Sequence, residues 1–309
     1  MKAMVTGGAG FIGSHLVEAL LQRGTDVVVF DNLSTGSVEH LSGCMDEIEF
    51  IEADIRSEPD LRRAFFTGVD VVFHLAAHIS VSDSMKNPAL CLDINVHGTN
   101  LLLQTAAQTG VKKVVISSSA AVYGDQQQLP ITESALLQPL SPYGASKQMD
   151  ETLAALYTRS FNLPVVCLRY FNAFGPRQNP DSPYAAAIPI FFQRVMQNEE
   201  IVVYGDGNQT RDFVYVKDIA RANILSAEST AADGMAVNIC SGVPTSIRQL
   251  INGIRKLIPG SREPRYEPAR AGDIYHSYGD PTLAKKLLDF SAETELDSGL
   301  KQTMDWMRI

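Results

Sequence analysis

The chain predicts an α/β fold, a doubly wound parallel sheet with a second, smaller domain toward the C-terminus. Three observations carry this. Short β-branched runs alternate with longer stretches of helical periodicity through the N-terminal half, the signature of βαβ units. Runs such as Val27–Phe30 and Val69–Leu75 are almost continuously apolar, as strands covered on both faces are. A cluster of glycines follows the first run directly and opens a helix.

Element by element, the expected strands are Ala3–Thr6, Asp26–Phe30, Glu49–Glu52, Val69–Leu75, Val114–Ser118 and Pro164–Tyr170, with helices over Gly13–Arg23 and Leu92–Thr109. Past about residue 175 the texture changes. Pro176, Pro180, Pro183 and Pro189 punctuate a loop-like segment, followed by the turn Asp206-Gly207-Asn208 and the Pro- and Arg-rich stretch Pro259–Arg270. Residues 1–175 therefore read as one domain and 176–309 mainly as a smaller α/β domain. Returns to the first domain are expected from about 210–245, with Phe213–Ile219 and Val237–Ile239 as short strands that can rejoin the main sheet.

Composition narrows the class. The 309 residues are 45% apolar and 20% charged, enough to bury a sizeable core without disulfides or metals. A net charge of −9 lacks the basic footprint that neutralises a nucleic-acid backbone. Cys44, Cys91, Cys167 and Cys240 stand apart, without C-x-x-C or metal-ligand spacing, and read as free thiols in a reducing compartment. No run of 18 apolar residues suggests a membrane span, and the six residues before the glycine cluster are too short for a signal peptide. A soluble cytoplasmic protein, with neither a membrane nor a nucleic acid as partner and no metal site, is the expectation.

The glycine cluster is Thr6-Gly7-Gly8-Ala9-Gly10-Phe11-Ile12-Gly13. Gly7 and Gly10 let the backbone turn tightly and approach a pyrophosphate seated on the helix N-terminus, and Gly13 lets the helix pack closely on the sheet. In this strand–turn–helix context the motif points to a Rossmann-type dinucleotide site. Asp31 ends the second strand 18 residues after Gly13, where a carboxylate binds both adenosine ribose hydroxyls and repels a 2′-phosphate. The residues that follow are Asn32-Leu33-Ser34-Thr35-Gly36, with no arginine, so NAD is the expected cofactor. Asp54-Ile55, after the third strand, is a candidate to pin the adenine.

Tyr143-Gly-Ala-Ser-Lys147 places a phenol and an ammonium four residues apart, on one face of a helix. The ammonium favours the phenolate and makes Tyr143 a candidate general base. Ser117-Ser118-Ser119 ends an apolar strand upstream, and strand C-terminal ends are where open parallel sheets bind ligands. A hydroxyl from either Ser118 or Ser119 could share a hydrogen bond with Tyr143 and the substrate.

With these motifs the chain resembles the extended short-chain dehydrogenase/reductase family over most of its length, and within it the UDP-sugar 4-epimerases. The resemblance implies Ser119, Tyr143 and Lys147 as catalytic residues. It implies an NAD site of Gly7, Gly10, Phe11, Ile12, Gly13, Asp31, Asn32, Ser34, Thr35, Gly36, Asp54, Ile55, Leu75, Ala76, Ala77, Asn95, Ser117 and Phe171, besides Tyr143 and Lys147. For a UDP-sugar it implies Asn172, Arg211 and Arg270 at the diphosphate and Asp273 at the ribose. Ala187, Ile188, Val202 and Tyr204 would form the nucleoside wall, and Ser80, Ser119 and Tyr143 would face the sugar. Ser277 matches a position where a large Tyr narrows the sugar pocket in some members, so N-acetylated sugars are expected beside UDP-glucose and UDP-galactose. Family members that eliminate water carry an Asp-Glu pair after the catalytic hydroxyl. Here Ala120-Ala121 stand there, and neither can transfer a proton. The implied activity is epimerisation at one sugar carbon through a transient 4-keto sugar, by a homodimer paired through Leu92–Thr109 and Ser146–Ser160. Alternatives are a UDP-glucuronate 4-epimerase or decarboxylase on the same scaffold, and a non-catalytic NAD-binding regulator.

Overall fold

Alternation along the apolar runs decides the layers. Ala3, Val5, Val27, Val29, Val71 and Phe73 face one side of a sheet, and Met4, Val28, Phe30, Val72, Val114 and Ile116 face the other, all buried. A sheet apolar on both faces needs helices on both, which sequence and structure agree in supplying.

Residues 1–180, 186–270 and 272–308 are described by this computed structural model, and Pro183 of the proline cluster lies outside them. The strands are β1 (Lys2–Thr6), β2 (Asp26–Asp31), β3 (Ile48–Glu52), β4 (Val71–His74), β5 (Lys113–Ser119), β6 (Val165–Tyr170) and β7 (Asn172–Phe174). They continue as β8 (Val202–Tyr204), β9 (Thr210–Arg211), β10 (Phe213–Tyr215), β11 (Ala236–Ile239), β12 (Thr245–Ser246), β13 (Arg265–Glu267) and β14 (His276–Ser277). The helices are α1 (Phe11–Gln22), α2 (Glu58–Phe65), α3 (Val81–Lys86), α4 (Pro88–Leu92), α5 (Gly98–Thr109) and α6 (Pro142–Ser160). Beyond them come α7 (Ala187–Met196), α8 (Val216–Glu228), α9 (Ile247–Leu257), α10 (Thr282–Leu288) and α11 (Leu296–Met307).

The main sheet runs β11-β6-β5-β4-β1-β2-β3, every pair parallel. This is the Rossmann arrangement extended by one strand. Helices α1, α8 and α10 cover one face with Leu16, Val17, Leu20, Ile219 and Leu288; α2, α5 and α6 cover the other with Leu61, Leu102, Leu103 and Ala154. A separate core of Phe174, Ile188, Phe192, Val203, Tyr215, Leu250, Ile254 and Leu300 fills the C-terminal lobe.

Each expected strand of the first domain is present, with ends moved by no more than two residues. Val237–Ile239 rejoins the main sheet beside β6, in the register Val237↔Leu168. Phe213–Ile219 does not. Only Phe213–Tyr215 is strand, paired with β7 in a small sheet of its own, and Val216 begins α8. The β-branched residues there read as strand, but Val216, Ile219, Ala220 and Asn223 lie on the buried face of a helix. The expected helix over Leu92–Thr109 is continuous with α4, yet Asp93–His97 is a π turn. That wider turn leaves Asn95 buried.

Candidate active site

The cleft lies at the C-terminal ends of β1, β4 and β5. Its first wall is the glycine turn. Gly7 takes φ +69°, and a Cβ on it would stand 2.7 Å from the Ala76 amide nitrogen. On Gly13 a Cβ would stand 2.1 Å from the Gly7 carbonyl oxygen. The turn is therefore pressed against both the β4 end and α1 with no room for a side chain. Gly10 caps α1 without any side-chain hydrogen bond, so the first-turn N–H groups of Phe11, Ile12 and Gly13 are uncovered by a capping side chain. This cradle fits a dinucleotide pyrophosphate. Gly13→Ala is expected to cost about 1–3 kcal/mol through the steric clash, read as a lower Tm, and to strip co-purifying NAD, read from the absorbance of the heat-released supernatant.

Asp31 is buried at the edge of the cradle. Its Oδ2 accepts from the Ala9 amide at 2.9 Å and its Oδ1 from the Leu33 amide at 2.8 Å. Burial pushes the carboxyl up, and those two N–H groups oppose the shift. Each oxygen keeps a lone pair for a ribose hydroxyl. The Asn32 Oδ1 accepts from the Ser34 amide at 3.1 Å, and Gly36 packs on Ala9, so Asn32, Ser34, Thr35 and Gly36 form the adjoining loop. Asp54 is held by its own neighbours. Arg56 donates to both its oxygens through the side chain, the Arg56 amide donates again, and Asn32 Nδ2 donates at 3.0 Å. The guanidinium holds this carboxyl well below the usual range. These four hydrogen bonds anchor the loop, and Ile55 beside it is buried against Gly98.

Helix α6 presents Tyr143 and Lys147. Ser141 caps it, accepting from the Gly144 amide at 3.1 Å, and Pro142 supplies the preset φ of the first turn. Gly144 lets the helix start lie against the Ala121 carbonyl, which a Cβ would approach to 2.6 Å. The Tyr143 amide donates to Ser84 Oγ at 3.2 Å, joining α6 to α3. Tyr143 is half-buried and Lys147 fully buried, at the mouth and floor of the same helix face.

The two serines at the end of β5 differ in their hydrogen bonds. Ser118 is buried and donates to Glu151 Oε1 at 2.6 Å, committing its hydroxyl to the core. Ser119 is half-buried at the β5 terminus and accepts from the Ala121 amide at 3.1 Å, which leaves its proton to donate. Ser117 is buried two residues before it, on the same face of β5. Leu75 and Ala76 are held to β1, their amides donating to the Thr6 carbonyl and hydroxyl at 3.1 and 3.2 Å. Ala77 is half-buried beside them. Asn95 is buried and bridges that segment to α6, accepting from the His78 amide at 2.7 Å and donating to Ser146 Oγ at 2.8 Å. The Phe171 ring is packed between Tyr123 and Gly279 in the core. Ser80 caps α3, accepting from the Asp83 amide at 3.0 Å.

A cavity of about 190 Å³ lies toward the second lobe. Of the expected substrate residues it brings together Asn172, Ala187, Ile188 and Arg211. Burial pushes the Arg211 guanidinium down, opposed by the charge of Asp273. Ser277 lies beside Arg211 in the β9–β14 pairing. Val202 and Tyr204 are on β8, outside this cavity. Arg270 stacks on the Tyr204 ring, 3.8 Å from its centroid, instead of facing Arg211.

Residues 3–240 match the model of the family described as NAD dependent epimerase/dehydratase family. The chain belongs to this family. A putative UDP-glucose 4-epimerase of Methanocaldococcus jannaschii is 40% identical over 306 residues, covering 99% of this chain and 98% of that one. Among solved structures, the UDP-glucose 4-epimerase of Thermotoga maritima with UDP-glucose superposes with a TM-score of 0.95 at 38% identity, covering 100% of this chain and 99% of the other. A UDP-N-acetylglucosamine 4-epimerase of Methanobrevibacter ruminantium M1, in complex with UDP-N-acetylmuramic acid, gives 0.94 at 39% identity, covering 99% and 98%. The chain is thus an NAD-dependent enzyme of this family.

Sequence reasoning passed over the polar groups behind the α6 face. Thr6 Oγ1 lies 2.7 Å from His74 Nδ1, and His74 Nε2 lies 2.9 Å from Thr99 Oγ1. Burial first, and the Lys147 charge second, push the His74 imidazole down to about 3, so it is neutral. The neutral ring carries one N–H, so it donates to one of the two threonine hydroxyls and accepts from the other. Asp212 is also buried and was missed. Its carboxylate accepts from the Ser241 amide and hydroxyl and from the Gly242 amide, tying the β11 end to Arg211's strand. Asp150, three residues after Lys147, is buried as well.

Proposed function

We propose that this enzyme is a UDP-sugar 4-epimerase acting on UDP-glucose and UDP-galactose, and on their N-acetylated counterparts. The observation that carries the reading is that α6 carries Tyr143 and Lys147 one turn apart while β5 ends on Ser119, followed by Ala120 and Ala121, which have no acid or base to drive elimination. The similarity to the Thermotoga maritima and Methanobrevibacter ruminantium enzymes supports the substrate class.

Tyr143 as phenolate takes the proton of the sugar C4 hydroxyl and later returns it on the opposite face. Ser119 donates its hydroxyl proton to the sugar oxygen and bridges that transfer. The Lys147 ammonium stands one helical turn from the phenol and would hold the nicotinamide ribose. Bound NAD supplies the reversible redox chemistry at C4. Asn172 and Arg211 grip the diphosphate, the guanidinium fork matching its oxygens, while Arg270 leaves Tyr204 to join them. Asp273 takes the ribose, and Ala187, Ile188, Val202 and Tyr204 wall the nucleoside. Firm hold on the UDP and loose hold on the hexose let the keto sugar turn over. On this reading residues 1–175 hold the cofactor and 176–309 mainly the UDP-sugar.

Two copies would pair through Leu92–Thr109 and Ser146–Ser160, where Leu92 at the end of α4 and Val96 in the π turn line an apolar groove of about 480 Å³ with Met149 and Leu153 of α6. Four buried free cysteines suit a cytoplasmic enzyme. Among the described residues no helix is long and apolar enough to cross a membrane, and no group of His, Cys, Asp and Glu could hold a metal ion.

The purified protein, incubated without added NAD, is expected to interconvert UDP-glucose with UDP-galactose and UDP-GlcNAc with UDP-GalNAc, with no net NADH. Turnover of UDP-glucuronate alone would move the reading to that epimerase or decarboxylase, and NAD retention without turnover of any of them would leave a regulator. Ser277 is half-buried beside Arg211. Ser277→Tyr is expected to lower kcat/KM for the N-acetyl pair by roughly 10- to 100-fold while changing the glucose pair little. Equal losses on both pairs would remove Ser277 as a gate.

A further inference from the structure

Directly behind the Lys147 side chain is a carboxylate that the reaction does not use. Asp150 is wholly buried, and its Oδ2 lies 3.5 Å from Lys147 Nζ, itself 2% exposed. Neither carboxylate oxygen has a well-formed hydrogen bond, which is costly for a buried charge. The groups facing it are few. On its own helix they are Lys147 and Glu151; α5 contributes Thr99, and through it β4 contributes the neutral His74. Cys91 on α4 and Cys167 on β6 are buried thiols that feel its charge. Of these Lys147 alone is a cation, and Tyr143 stands one helical turn beyond it.

We propose that Asp150 is a positioning residue for the Tyr143–Lys147 pair: its buried carboxylate holds the ammonium from behind, and its charge state sets how much positive field reaches the phenol. The inference rests on Tyr143 being the base of the proposed reaction. Burial pushes the Asp150 carboxyl up to about 7, against Lys147 and Thr99, so its charge changes within the working pH range. When it is ionised the ammonium's field at the phenol is partly cancelled; when it is protonated that field is unopposed. The hydrogen bonds from Thr6 through His74 end on Thr99, a neighbour of this same carboxylate.

The test reads the phenol directly. The 295 nm absorbance of the intact protein minus that of its Tyr143→Phe variant, followed against pH, isolates the Tyr143 phenolate. In Asp150→Asn the midpoint of that signal is expected about one pH unit lower than in the otherwise unmodified chain, with the acid limb of kcat moving alongside and KM little changed. Asp150→Ala, which removes the same charge and more packing, should share the shift. Asp150→Glu should titrate like the unmodified chain. An unmoved midpoint in a folded Asn or Ala variant overturns the proposal, and so does loss of folding in all three. Because the phenolate signal needs no turnover, its shift can be seen even if Tyr143→Phe remains active, an outcome that would refute the base and leave the electrostatic coupling standing.

Discussion

Tyr143→Phe should lower kcat for UDP-sugar epimerisation by roughly three orders of magnitude, within the range that a positioned general acid–base group supplies. KM for the UDP-sugar should stay within a few-fold. The substitution removes one oxygen from the mouth of the α6 face. It leaves the Ser141 cap, the Gly144 contact with Ala121 and the Tyr143 amide bond to Ser84 unchanged, since all three are made by backbone atoms or by other side chains. The cavity containing Asn172 and Arg211 is built from other elements and should bind UDP as before. Steady-state kinetics together with calorimetric titration of UDP would separate the two quantities. Retained epimerisation at more than a tenth of the normal rate would dismiss Tyr143 as the base.

The largest expected effect on stability comes from Arg169. Its guanidinium donates to Glu151 Oε1 and Oε2 at 2.9 and 2.7 Å and to the Tyr123 hydroxyl at 2.7 Å, and it lies over the Tyr123 ring at 4.8 Å. Arg169 and Glu151 are both nearly inaccessible, with 6% and 8% of their side chains exposed. Arg169→Met strands the Glu151 carboxylate in the core with Ser118 as its remaining donor. The expected cost is about 3–5 kcal/mol, which for a chain of this length lowers Tm by roughly 5–8 °C. The paired change Arg169→Met with Glu151→Leu removes both charges and should recover much of the loss. If thermal unfolding finds the double variant as unstable as the sum of the single ones, the ion pair is not the source. The consequence reaches the active site, because Ser118, Glu151 and Arg169 join β5, α6 and β6 just below Ser119 and Lys147.

Much of the molecule is written in local patterns. Turn chemistry makes the glycine cluster legible, because Gly7 and Gly13 permit approaches that no other residue could make, and the strand before and helix after them are adjacent in the chain. Short β-branched, mostly apolar runs between helical stretches make the six strands of the first domain legible, and the four-residue spacing of Tyr143 and Lys147 needs only that their segment be helical. Where two local signals compete, reading fails. The segment 213–219 carries strand propensity and helical periodicity together, and packing of Ile219, Ala220 and Ala222 into the core on one face of the main sheet decided for α8 from Val216 onward.

What the amino-acid order determined by itself is the layered sheet, the dinucleotide turn and the pairing of one phenol with one ammonium, since each depends on residues within about a turn or a strand of one another. Only the tertiary structure decided which serine is free, that Asp54 is already taken by Arg56, that Arg270 rests on Tyr204, and that Asp150 stands behind Lys147. Those outcomes rest on side chains meeting across strand register and helix packing, and a polar group's partner in a low-dielectric interior is chosen by that geometry rather than by its neighbours in the chain.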